Sequence, residues 1–184
     1  MSLPFKIKNI PLAFLLFFIL HSYCVQSAEI TPEEVKAKYL LYLPKYVKRT
    51  TDSAPLNNIC YYEKVGIPES ESVGQILSKM VKGNTGSSQI KVRWLKDAGN
   101  FDGCDILFIP SSEESNIDDI IAKTHSLPIL TVSGAKRFIY RGGMIGFVLE
   151  DDKVKLEGNI KNMAANDIEA DAQLLNIMKN VIRD

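Results

Sequence analysis

The chain has 184 residues and carries 22 basic and 22 acidic side chains, a formal net charge of zero. That balance excludes the basic footprint of a nucleic-acid or anionic-membrane binder and leaves proteins and small molecules as partners. Two histidines and three cysteines also fall short of a four-ligand zinc centre once the leading segment is set aside, so neither metal nor cofactor is expected.

The opening residues read as an export signal. Lys6 and Lys8 form a basic start, Leu12 to Leu20 a nine-residue apolar stretch, and Val25-Gln26-Ser27-Ala28 a small-residue processing site. Cleavage is expected after Ala28, with Ser27 as the alternative. Nine apolar residues are fewer than the ~20 a helix needs to cross a bilayer, so no stable membrane insertion is expected after cleavage. Cys24 follows the bulky Tyr23, which argues against a lipid anchor. Processing leaves residues 29–184 as one domain, long enough for a single core. It also leaves Cys60 and Cys104 in an oxidising compartment, where one intramolecular disulfide is the expected pairing and two buried free thiols the alternative.

Thr31-Pro32-Glu33-Glu34 is a helix start, with a Thr cap, Pro in the first turn and Glu three residues after the cap. Tyr39, Tyr42 and Tyr46 follow at near-helical spacing; part of this face is expected to pack inward and part to be available to a partner. Pro44 should kink or end the helix. Ile59-Cys60-Tyr61-Tyr62 is a short strand, residues 70–81 a helix, Gly83-Asn-Thr-Gly-Ser-Ser88 a polar turn, and residues 90–95 a strand. That turn lacks the lysine of a phosphate loop.

Asp105-Ile-Leu-Phe-Ile109 and Pro128-Ile-Leu-Thr-Val132 are continuous apolar strands, which implies burial on both faces as in a parallel sheet. A short helix is expected over residues 116–124. Met144 to Glu150 and Lys153 to Ile160, separated by Asp151-Asp152, read as an antiparallel hairpin. Gly142 and Gly143 ahead of it serve a structural turn through positive φ or close backbone approach, since a nucleotide fingerprint would place glycines between a strand and a helix. Leu174, Leu175, Met178, Val181 and Ile182 predict a closing amphipathic helix with Lys179 and Arg183 near its C-terminus. The expected fold is a single α/β domain: a mostly parallel sheet flanked by helices, then the hairpin and a C-terminal helix.

Residues that could carry chemistry are sparse, and no enzyme is expected. His125 is an isolated loop histidine. Ser133 lacks the first glycine of a G-x-S-x-G elbow, so a small hydrolase would rest on Ser133 or His125 without a recognisable motif. Ser111 and Ser133 follow strands at the end of an open sheet where ligands commonly bind, and Arg141 could meet an anion there. A small-ligand sensor or adaptor would use Ser111, Ser133 and Arg141.

KAKYLLYLPKYV, NICYY, CDILFI, PILTVSG, GGMIGFVLEDDKVKLEGNI and LLNIMKNV, in that order, resemble the YfiR family of small bacterial periplasmic proteins over nearly all of residues 29–184. Lys48-Arg49-Thr50-Thr51 stands where that family often has Trp-Pro. The resemblance implies a periplasmic repressor that engages the periplasmic part of an inner-membrane diguanylate cyclase and lowers cyclic di-GMP output. It also implies release by an outer-membrane lipoprotein, and a homodimer.

Overall fold

In the computed structural model, which describes residues 29–52, 54–62, 72–83, 90–97 and 99–184, the first element is helix α1, Pro32–Tyr42. Its start follows from a complete capping box. Thr31 Oγ1 accepts from the Glu34 N–H while the Glu34 carboxylate accepts from the Thr31 N–H. Its end follows from Pro44: the chain tightens into a 3-10 turn, Leu43–Lys45, and then extends as the short strand β1, Val47–Arg49. The expected export signal, residues 1–28, and residues 84–88 of the polar turn lie outside the described residues.

The remaining strands are β2 (Asn58–Tyr62), β3 (Lys91–Leu95), β4 (Ile106–Ile109), β5 (Leu130–Ser133), β6 (Ile145–Glu150), β7 (Lys153–Asn159), β8 (Ile168–Ala170) and β9 (Met178–Ile182). Between them lie helices α2 (Val73–Gly83), α3 (Ile117–Thr124), α4 (Ile160–Ala165) and α5 (Ala172–Ile177). Among the described residues β1 and β8 form an antiparallel pair, and a seven-stranded sheet runs in the order β3-β2-β4-β5-β6-β7-β9. Pairing is parallel from β3 through β6, antiparallel in the β6–β7 hairpin and parallel again between β7 and β9. The chain steps from β2 outward to β3 and then back across to β4, the winding of an open doubly wound sheet.

The continuous apolar runs now have their reason. Ile59 and Tyr61 of β2, with Ile106 and Phe108 of β4, join a core that includes Leu40 of α1 and Leu77 of α2. Their neighbours Cys60, Tyr62, Leu107 and Ile109 point to the other face, where Ile117 and Ile120 of α3 and Phe138 cover them. Successive strand residues alternate faces, so a sheet covered on both sides needs apolar residues at every position.

The C-terminal helix is shorter than its spacing predicts. α5 ends at Ile177, and Met178–Ile182 forms β9 along the edge of β7. Lys179 therefore pairs with Glu150 of β6 instead of facing a helix terminus. β1, β8 and α4 are elements that periodicity did not reveal. Each is three to six residues long, too short to display a period.

Candidate functional site

Two large grooves flank one ion pair at the amino ends of the parallel strands. Asp105, just before β4, is buried, and its side chain is 8% exposed against 11% for its partner Arg49 at the end of β1. Arg49 Nη2 donates to Asp105 Oδ1, and its Nε donates to the Pro128 carbonyl at 3.3 Å. Asp105 Oδ2 accepts from both the backbone N–H and the side-chain amide of Asn58, at 2.7 and 2.8 Å. A buried carboxylate requires this degree of pairing, because desolvation without it costs several kcal/mol, roughly. The pair locks the β1–β8 ribbon onto the entrance of β2, β4 and β5.

One groove, about 720 Å³, runs along β1 and is lined by Tyr46, Lys48, Thr51, Pro55, Glu169 and Asp171 among others. Asp171 N–H donates to the Tyr46 carbonyl and Thr50 N–H to the Asp167 carbonyl, so residues 46, 48 and 50 bond toward β8. Strand alternation then turns the N–H and C=O of Val47 and Arg49 the other way. Among the described residues no strand pairs with that edge. On the opposite side of Arg49 a second cleft, about 700 Å³, is lined by Asp102, Cys104, Asp105, Lys123, Leu127 and Pro128, among others.

A smaller groove of about 300 Å³ brings together Tyr39, Tyr42, Tyr46, Leu43, Leu174 and Ile177. The three tyrosines line one space, and they divide as expected: Tyr39 and Tyr46 pack against the core while Tyr42 is exposed. Residues 39, 42 and 46 fall within one arc of a helix, and the tightening at Leu43 keeps them there. Tyr39 also packs toward Phe147, ring centroids 6.0 Å apart, while Tyr42 is 48% exposed.

The carboxyl-end residues are placed differently from a ligand site. Ser133 is fully buried and its Oγ accepts from the Ala135 N–H at 3.1 Å, so it lies on no surface. Arg141 is engaged by carboxylates. Its Nε donates to Asp118 at 2.7 Å and its Nη2 to the Glu114 carbonyl at 3.2 Å. The hydrogen bond to Asp118 holds the arginine above its ordinary pKa and the carboxyl of Asp118 below its own. Ser111 is exposed beside Gly134, where a Cβ would come within 2.9 Å of its Oγ. His125 Nδ1 contacts Ser126 Oγ at 2.8 Å, away from Ser133, so the two do not form a nucleophile–base pair.

Gly142 has φ +101°, and a Cβ on Gly143 would sit 2.2 Å from the Phe138 ring. Asn162 fastens this turn by donating to the Gly142 carbonyl at 2.7 Å. Cys60 and Cys104 form a disulfide, Cα atoms 5.7 Å apart, that ties β2 to the residue before Asp105. Among the described residues no cluster of metal-ligating side chains occurs, and no helix is long and apolar enough to cross a membrane. The residues that sequence reasoning missed are Arg49, Asp105 and Asn58. Their only signal was an acid heading an apolar strand and a basic residue within a short polar run, and neither shows its partner.

The described residues thus form an open, mostly parallel α/β sheet with grooves at the amino ends of its strands. The chain belongs to the family of YfiR/HmsC-like proteins, whose model matches residues 33–179. Solved structures share the fold. A conserved domain protein from Vibrio cholerae O1 biovar El Tor aligns with TM-score 0.61 and 10% identity, over 83% of this chain and 61% of that one. An ABC domain from Streptococcus pneumoniae in complex with L-Trp aligns with TM-score 0.54 and 12% identity over the same shares. The chain thus spans about three fifths of the length of each. No curated protein matches it.

Proposed function

We propose that this chain is a periplasmic regulator that acts by binding, repressing an inner-membrane diguanylate cyclase through that enzyme's periplasmic part and so lowering cyclic di-GMP output. Membership of the YfiR/HmsC-like family supports the regulatory class. The observation that carries the mode of action is the open edge of β1 inside the groove of about 720 Å³. An exposed strand edge offers main-chain donors and acceptors to an extended segment of a partner, and the groove walls supply side-chain selectivity. The Arg49–Asp105 pair keeps that edge rigid, which lowers the ordering cost of binding. An outer-membrane lipoprotein that sequesters the protein would relieve the repression.

Deleting the gene should raise cellular cyclic di-GMP, and export of the protein to the periplasm should restore it. A photo-crosslinking side chain at Lys48, which is exposed beside the groove, should capture the cyclase, whereas one at the remote Tyr140 should not. Unchanged cyclic di-GMP on deletion would overturn the repressor role.

The tyrosine-lined groove favours a second reading, a small-ligand sensor, because its volume of about 300 Å³ lies at the lower end of ligand pockets. Saturable ligand-induced thermal stabilisation, abolished by Tyr42→Ala, would identify it.

A further inference from the structure

The Cys60–Cys104 bond lies against a cation. Arg93 of the edge strand β3 stands directly opposite Cys60 in the β2–β3 register. Its Nη2 is 3.2 Å from Cys104 Sγ and 3.6 Å from Cys60 Sγ, and it also donates to the Asp102 carbonyl. A disulfide sulfur is a weak acceptor and gains little from a guanidinium, whereas a thiolate gains a charge-assisted hydrogen bond. Among the described residues no carboxylate forms an ion pair with Arg93: its contact with Asp102 is to the carbonyl, and the Asp105 carboxylate is engaged by Arg49 and Asn58. Both cysteines are buried, Cys60 fully and Cys104 to 4% exposure, but Cys104 alone of the two lines the cleft of about 700 Å³.

We propose that Arg93 poises this disulfide for exchange with thiols, with attack at Cys104 and departure of Cys60 as a thiolate held by the guanidinium. The thiolate of an external dithiol bonds to Cys104 Sγ, and the S–S electron pair leaves on Cys60 Sγ. The dithiol's second thiol, deprotonated by solvent, attacks its own sulfur in the mixed disulfide and expels Cys104 as a thiolate, 3.2 Å from Arg93 in the oxidised structure. The dithiol ends as a disulfide and the protein as two cysteines. Arg93 is a positioning residue here, and its charge selects anionic thiols as exchange partners. The inference stands apart from whichever protein the β1 groove takes.

The test is the rate of reduction of the oxidised protein by dithiothreitol under native conditions, read by thiol alkylation and mass, for wild type, Arg93→Gln and Arg93→Lys. A cation beside a leaving thiolate lowers its pKa and speeds exchange, so Arg93→Gln should slow reduction by about threefold or more and Arg93→Lys should recover most of the rate. An unchanged or faster rate in Arg93→Gln would mean that the side chain merely covers the bond, and would overturn the proposal.

A second measurement uses wild type alone, in case Arg93→Gln does not fold. Reduction by 2-mercaptoethanesulfonate is compared with that by cysteamine, each normalised to an unstructured cystine peptide. The anionic thiol should be favoured at low salt and lose its advantage at high salt. Equal rates, or a preference for the cation, would likewise refute the electrostatic role.

Discussion

At Gly143 the requirement is space. A Cβ there would lie 2.2 Å from Cε1 of Phe138, a fully buried ring that anchors one of the two cores. Gly143→Ala should therefore destabilise the protein by about 2 kcal/mol, measured by urea unfolding, because overpacking forces the ring or the turn to move. Tyr62 shows a different limit. Burial, then the charges of Glu113 and Asp97, raise its pKa above the ordinary 10.0. A group whose folded-state pKa is raised contributes stability that is fully present below its unfolded pKa and lost as pH rises through the folded value. Wild type should lose stability above pH 10.0, and Tyr62→Phe should lose measurably less over the same range, which chemical denaturation at a series of alkaline pH values would read.

Among the elements, the β6–β7 hairpin is held by a turn with an avoidable cost. Asp151 and Asp152 have φ of 48° and 57°, the left-handed pair that a type I′ turn demands. Asp152→Gly should stabilise the hairpin, raising the unfolding free energy by about 1 kcal/mol, since glycine adopts that conformation without the Cβ clash. An unchanged denaturation midpoint would show that the aspartate side chain offsets its own strain. The hairpin was readable in the sequence because alternation, turn chemistry and length agree. β9 was not, because the apolar residues from Leu174 to Ile182 recur at helical spacing and it is pairing with β7 that makes Met178–Ile182 a strand.

For the whole molecule, the disulfide closes a 44-residue separation between β2 and the approach to β4. Replacing both cysteines by serine should cost about 3–4 kcal/mol by the chain-entropy argument, read as a lowered urea midpoint. The loss would be felt at the neighbouring site, since Cys104 adjoins Asp105 in sequence and Asp105 holds Arg49. A small loss would imply that the parallel pairing of β2 with β4 already restricts the unfolded loop. Two large grooves share Arg49, which joins the three-residue strand β1 to the main sheet through Asp105 and the Pro128 carbonyl.

The order of elements, the parallel buried strands, the first helix with its cap and stop, and the hairpin were set by local rules written into adjacent residues. The capping box needs four residues, the two-faced strands need only their own continuous apolar content, and the hairpin needs its turn pair. The partnership of Arg49 with Asp105 across 56 positions, the convergence of Tyr39, Tyr42 and Tyr46 on Ile177, and the burial of Ser133 depended on which surfaces the finished sheet brought together. Local sequence specifies backbone conformation through short-range sterics and hydrogen bonds. A groove is space between distant segments, so only the folded chain could place it at the amino end of the strands.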